Sequence, residues 1–200
     1  MSLQEKKIIQ YFRQIDRSFY MNTDKDMAHM DLAVSIGHGQ TISQPSLVAK
    51  MTITLDLEPH HRVLEIGTGS GFQTDLLAAF SNEVYTVERI EALHERAKEK
   101  LAQAGFENIT FKLGDGSAGW KEHAPFDRIM VTAAASVIPP ALLEQLAPGG
   151  KMVIPVGSPN SQELTLVEKD ADGSVSSTVL GSVAFVKLHG AYEQEDDLGG

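Results

Sequence analysis

The chain of 200 residues contains no cysteine. Disulfides, thiolate metal sites and cysteine nucleophiles are thereby excluded, and the composition agrees with a reducing compartment. Basic residues are also scarce: 17 Lys and Arg stand against 27 Asp and Glu, for a net charge of −10. A protein that gripped nucleic acid by bulk attraction to phosphate would need the opposite balance. Long apolar runs are missing as well. The longest, from Ile129 to Leu143, is interrupted by Thr132, Ser136 and the pair Pro139-Pro140, which leaves nothing able to span a bilayer. The N-terminal stretch MSLQEKKIIQYF mixes charges into a helical pattern and lacks the apolar centre and cleavage site of a signal peptide. The expectation is a cytoplasmic monomer that engages neither nucleic acid nor membrane, and no cluster of residues calls for a metal.

What is present is ordinary for a globular core: 42% hydrophobic and 22% charged residues, in a length suited to one large domain. Ile8, Ile9, Phe12 and Ile15 recur at helical spacing in the first thirty residues. Ser35 to Gln40 reads as a glycine-punctuated loop, and Pro45 opens a helix with an apolar stripe of Leu47, Val48, Met51 and Leu55. Strand and helix then alternate. Strands are predicted at Val63–Ile66, Val84–Val87, Ile109–Phe111, Phe126–Thr132 and Met152–Val156, with helices after the first two and from about Pro140 to Leu146. Apolar strands without a polar face, separated in this way, indicate a parallel sheet covered on both sides. Glu163–Glu168 and Val175–Val186 flank the turn Asp170-Ala171-Asp172-Gly173, which predicts an antiparallel ribbon at the sheet edge. The expected layout is an N-terminal helical segment with a substrate-side loop (1–55), an α/β core (56–158), the ribbon (159–190) and a frayed acidic tail (191–200), all in one domain.

In an open parallel sheet, ligands bind beyond the carboxyl ends of the strands. Gly67, Gly69 and Gly71 follow the first core strand, where they allow a tight turn and close approach of backbone amides. Glu88 ends the second, placed to accept both hydroxyls of a ribose, and Asp115 follows the third, within reach of an adenine amino group. Together they describe a cofactor that contains a nucleoside. A dinucleotide would use G-x-G-x-x-G, whereas this loop is G-x-G-x-G with Glu65 two residues ahead of it. A carboxylate there repels a pyrophosphate and suits the ammonium and sulfonium of S-adenosylmethionine; alternatively, Glu65 caps a helix or pairs with a lysine. Thr132, after the fourth strand, lies where cofactor or substrate can be reached. His60 and His61, after a helix-breaking proline, are expected to face solvent, and Trp120 to pack beside the Asp115 loop.

Six segments carry a resemblance: QTISQPSLVAKM (40–51), VLEIGTGSGFQT (63–74), VYTVERIEAL (84–93), GDGSAGW (114–120), APFDRIMVTAAA (124–135) and LLEQLAPGGKMVIPVG (142–157). They are similar to the protein-L-isoaspartate O-methyltransferases over residues 31–190. The glycine loop is shared by many methyltransferases; the combination with QTISQP and the GG-x-x-VIPVG strand is far more specific. The resemblance implies a Rossmann-like methyltransferase fold and methyl transfer from S-adenosylmethionine to the free carboxylate of isoaspartyl residues in damaged proteins and peptides. The ester then closes to a succinimide, whose hydrolysis returns part of the chain to aspartate. It assigns Ser43 to the active site, Thr41 and Ile42 to the same loop, and Gly67, Gly69, Glu88, Asp115 and Gly116 to the cofactor, with their neighbours Thr68, Gly71 and Arg89 beside them.

The acceptor carboxylate, with a pKa near ~4, is ionised at neutral pH, so the reaction needs no general base. Hydroxyls of Thr41 and Ser43 and amides of Gly37 and Gly39 can orient it without trapping it. A helix N-cap is the competing role for Ser43. Departures from the family fall on the substrate side: Ala33-Val34-Ser35 before the IG pair, Lys187 where proline is favoured, a shorter N-terminal helical region, and Phe72 for tyrosine in the glycine loop. They keep two alternatives in view: a methyltransferase of this fold acting on another carboxylate or a small molecule, and a domain that binds the cofactor without catalysis.

Overall fold

The structure is a computed structural model that describes residues 1–190. The expected frayed tail, 191–200, lies outside the described residues. The chain opens with α1 (Leu3–Phe12), started by a capping box in which Ser2 and Glu5 satisfy each other's backbone amides. Two short 3-10 turns follow, Arg17–Tyr20 and Lys25–His29. The predicted loop at 35–40 is instead a small antiparallel hairpin. β1 (Val34–Gly37) pairs with β2 (Gln40–Ile42), and Val34 lies opposite Ile42. Apolar Val34, Ile36 and Ile42 point inward here, a period-two pattern too short to distinguish from a loop in the sequence. Gly37, His38 and Gly39 all have positive φ and make the reversal.

The rest alternates as expected: α2 (Pro45–Leu55), β3 (Arg62–Ile66), α3 (Phe72–Ala79), β4 (Glu83–Glu88), α4 (Glu91–Gln103), β5 (Ile109–Leu113), β6 (Phe126–Val131), α5 (Pro140–Gln145), β7 (Leu146–Ser158), β8 (Ser161–Lys169) and β9 (Val175–Val183). These strands after the hairpin form one seven-stranded sheet in the order β5-β4-β3-β6-β7-β8-β9. The pairs from β5 to β7 are parallel, and β7-β8 and β8-β9 are antiparallel, so the predicted α/β fold with a C-terminal ribbon is what forms. The expected strand to Val186 stops at Val183; the chain then leaves the ribbon and bridges to Ala134 through Lys187.

Alternation along the strands sorts the core into two layers. Leu64, Ile66, Val87, Ile129 and Val131 fill one face, while Val63, Val84, Met130 and Val153 meet Met51, Leu55 and Leu77 on the other. A third cluster joins the N-terminal segment to α3 and α4 through Tyr20, Met21, Ile36, Phe72, Leu76 and Ala97. The chain runs outward from β3 to β5 on one side and from β6 to β7 on the other. The sheet therefore has a topological switch point between β3 and β6, where a ligand crevice forms at the carboxyl ends.

Candidate active site

A cleft of about 850 Å³, counted out to its open mouth, lies at that switch point. One wall is the loop after β3. Gly67 has φ +96°, and a Cβ there would stand 2.4 Å from the Thr132 hydroxyl, so both conformation and space demand glycine. The Thr132 hydroxyl lies 2.6 Å from the Gly67 carbonyl oxygen, lacing the end of β6 to the loop. Glu88, buried at the end of β4, accepts from the Gly69 amide at Oε2 and from the Ile90 amide at Oε1, both at 2.9 Å. Each oxygen retains a second lone pair, which is the acceptor chemistry needed to hold the two hydroxyls of a vicinal diol. Gly116 packs against Ile66, where a Cβ would meet Cγ2 at 2.6 Å. Apolar Val87, Ile66 and Phe72 line the floor.

The opposite wall carries Thr41, Ile42 and Ser43, aimed by the hairpin. Of the predicted residues, these three join Gly67, Thr68, Gly69, Glu88, Arg89, Gly116 and Thr132 in a single cleft. Others take different places. Gly37 and Gly39 are exposed at the hairpin turn, and Gly71 is the N-cap of α3, packed against Leu101 and Ala97. The Asp115 side chain is exposed and holds its own turn, accepting from the Ser117 amide at 2.8 Å and hydroxyl at 3.0 Å, while Gly114 and Gly116 on either side line the cleft. The competing N-cap role for Ser43 is not what forms. Gln44 is the N-cap of α2 without a side-chain cap bond, and the Ser46 amide is instead satisfied at 2.8 Å by the Asp31 carboxylate, held below its usual pKa by that bond.

Glu65 requires the largest correction. Its expected approach to a cationic cofactor is replaced by complete burial behind the loop. Strand alternation turns Glu65 away from Leu64 and Ile66 toward α3, where its Oε2 accepts from Thr74 and Thr86 at 2.6 Å. Thr86 is its register partner on β4, and Thr86 in turn meets the Thr68 hydroxyl at 2.6 Å. Burial raises the Glu65 pKa to about 8 against the opposing threonine bonds, with Glu88 adding to the rise, and Oε1 has no partner. The carboxyl is thus protonated for much of the neutral range and touches the glycine loop only through Thr86 and Thr68.

Sequence reasoning missed several elements. Phe185 to His189 line the mouth because Ala134 holds this stretch, its amide donating to the Val186 carbonyl and its carbonyl accepting from the Leu188 amide, each at 2.8 Å. Only the noted departure at Lys187 pointed there. Nothing in the local pattern revealed that Tyr11 and Tyr20 both donate to buried Asp75 on α3, fastening the N-terminal segment beside the glycine loop. Burial raises the Asp75 pKa and those of both phenols. Trp120, expected to pack beside the Asp115 loop, meets Tyr85 edge-on against the core. His61, expected in solvent, is buried, and its Nδ1 accepts from the Glu58 amide at 2.9 Å. Glu58, His60 and His61 offer ligand atoms within 4.8 Å of one another, but burial and then the nearby Arg128 charge lower the His61 pKa, and that same charge opposes a cation there.

A mostly parallel sheet with a glycine loop, an acid closing the next strand and a cleft at the switch point makes a site for a nucleoside-containing cofactor, and the family likeness of the chain makes it that of an S-adenosylmethionine-dependent methyltransferase. The donor set fits that cofactor: a buried carboxylate with spare acceptor capacity, an apolar floor and a loop that admits no side chain at Gly67. The chain belongs to the protein-L-isoaspartate(D-aspartate) O-methyltransferase family, whose sequence profile matches residues 2–193. Protein-L-isoaspartate O-methyltransferase 2 of Polaromonas sp. is 47% identical over 188 residues, 93% of this chain and 89% of that protein. The enzyme of the same name in Dictyoglomus thermophilum is 46% identical over 195 residues, 97% of this chain and 88% of its own. Among solved structures, a Plasmodium falciparum protein described as a protein-L-isoaspartate O-methyltransferase, in complex with S-adenosyl-L-homocysteine, superposes with a TM-score of 0.78 at 26% identity. That superposition covers 94% of this chain and 91% of the other.

Proposed function

We propose that the protein transfers a methyl group from S-adenosylmethionine to the free carboxylate of L-isoaspartyl residues in damaged proteins and peptides, the step that opens their repair. The observation that carries this is the pairing of two chemically different walls in one cleft, with the Glu88-glycine loop facing the hydroxyl-bearing Thr41–Ser43 loop. When bound, the cofactor supplies a methyl already activated by its sulfonium charge. The protein's residues bind, align and exclude water. Glu88 and the loop amides hold the nucleoside end; Thr132 keeps the loop closed against β6. Ser43 and Thr41 orient the acceptor oxygen by donating hydrogen bonds. The acceptor is ionised without help, which leaves alignment as the main catalytic contribution.

A peptide containing isoaspartate is expected to gain a base-labile labelled methyl ester, and its aspartyl twin none. Equal labelling of both, or of neither, would overturn the reading. Ser43→Ala is expected to lower kcat/KM for the acceptor by roughly 10- to 100-fold, the size of one hydrogen bond to a charged group. Calorimetric affinity for S-adenosylhomocysteine should stay unchanged; the reverse pattern removes Ser43 from the acceptor side. The reading includes a cytoplasmic monomer, to be checked by light scattering and cell fractionation. No helix among the described residues is long and apolar enough to cross a membrane.

A further inference from the structure

Arg17 is 5% exposed, yet carbonyl oxygens rather than a carboxylate surround its guanidinium. Nη1 donates to Ala28 and Met30, both at 3.2 Å, and more distantly to Met27 at 3.5 Å. Nη2 donates to Leu32 at 2.8 Å and to Ser43 at 3.2 Å, and Nε is buried without a partner. The last two acceptors matter most. Leu32 lies just before β1 and Ser43 just after β2, so one nitrogen closes the base of the hairpin that presents Thr41, Ile42 and Ser43. A two-stranded hairpin this short is marginal alone. Past the second 3-10 turn, Met30 to Leu32 belong to no helix or strand, so their carbonyls take donors from elsewhere. Only a planar fork reaches both stretches at once; a lysine ammonium presents its donors from a single point. Asp16, its neighbour in sequence, accepts instead from the Ser18 amide, and Asp31 spends its carboxylate on Ser46 and Gln44 at the surface.

We infer that Arg17 is a positioning residue for the methyl acceptor: it fixes Ser43 by closing the hairpin base, and its buried charge favours an anionic group at that wall. This rests on reading Ser43 as the group that orients the acceptor carboxylate. The test compares the wild type with Arg17→Ala and Arg17→Lys, the second keeping the charge and losing the fork. Acceptor kcat/KM for an isoaspartyl peptide is expected to fall by about 10²-fold in the alanine variant, the size of an ångström-scale misplacement, and by less in the lysine variant. The loss should appear in acceptor kcat as well as KM, with S-adenosylhomocysteine affinity unchanged. Amide exchange should accelerate over residues 34–44 and stay slow in β3 and β6. Unchanged acceptor kinetics, or a parallel loss of cofactor affinity, would overturn the assignment and leave Arg17 a support of the fold alone. If the alanine variant does not fold, the lysine variant decides by the same readings. A wild type that fails to label the isoaspartyl peptide refutes the acceptor chemistry; amide exchange then still decides whether Arg17 holds the Ser43 loop.

Discussion

Replacing Glu88 with alanine is expected to weaken S-adenosylhomocysteine binding by at least about 10²-fold, more than any other single change on the cofactor wall. Its two oxygens serve two amides, Gly69 of the glycine loop and Ile90 at the start of α4. Alanine strands both, at about 1–3 kcal/mol for each buried donor left unsatisfied, and removes the acceptors available to the ligand. The loop is then held to β4 by the Gly67 amide on Val87 and by Thr68 on Thr86, while its Gly69 end must be ordered at the expense of binding energy. Glu88→Gln keeps one oxygen and turns an NH2 group toward the other amide, so its loss should be intermediate. Calorimetry on both variants checks this, with circular dichroism to show that the sheet is intact. Wild-type affinity in the alanine variant would remove Glu88 from the cofactor site.

The second large effect concerns stability rather than binding. Glu65 has a folded pKa of about 8 against an ordinary value of 4.5, because burial disfavours its charge. A raised pKa means that the folded state holds this proton more tightly than the unfolded chain. The stability contributed by the neutral carboxyl is complete below the unfolded value, near 4.5, and is lost progressively as pH rises through about 8. Glu65→Gln cannot ionise, and its one amide oxygen can still receive the Thr74 and Thr86 hydroxyls. The variant is therefore expected to gain on the wild type as pH increases, by several kcal/mol at alkaline pH, since each pKa unit corresponds to about 1.4 kcal/mol. Urea unfolding of the cofactor-free proteins at pH 5, 6.5 and 8 measures the difference, which cancels the titration of other groups such as Asp75 and His61. A difference that does not vary with pH would show that Glu65 is ionised throughout. In that case the buried charge, rather than the proton, would have to be stabilised by the threonines.

Much of the architecture was legible because it follows from local chemistry. The apolar strands at Val63–Ile66 and Val84–Val87 could be satisfied only inside a covered sheet, and Asp170 to Gly173 could hardly be anything but a turn. The ends of those strands placed Gly67, Gly69 and Glu88 on one wall, and they are found there. Glu65 shows where such reading fails. Its distance from Gly67 along the chain was correct, but the direction of its side chain depends on strand parity and on which helix lies above it. Ser43 illustrates the same limit, since its supposed capping role is taken by Asp31, twelve positions earlier and brought near only by the fold. Arg17 is the extreme case: five carbonyls from two separate stretches converge on it, and no periodicity marks a residue whose partners are backbone atoms.

The amino-acid order by itself determined the alternation of strands and helices, the glycine turn and the acid that closes the following strand. Each of these expresses a backbone preference or a hydrophobic period only a few residues long. Tertiary structure alone decided which side chains share the cleft, that Glu65 lies behind it, and that Arg17 gathers the base of the hairpin. Those outcomes depend on contacts between residues far apart in the chain, whose energies exist only once the sheet has closed and water has been excluded from around them.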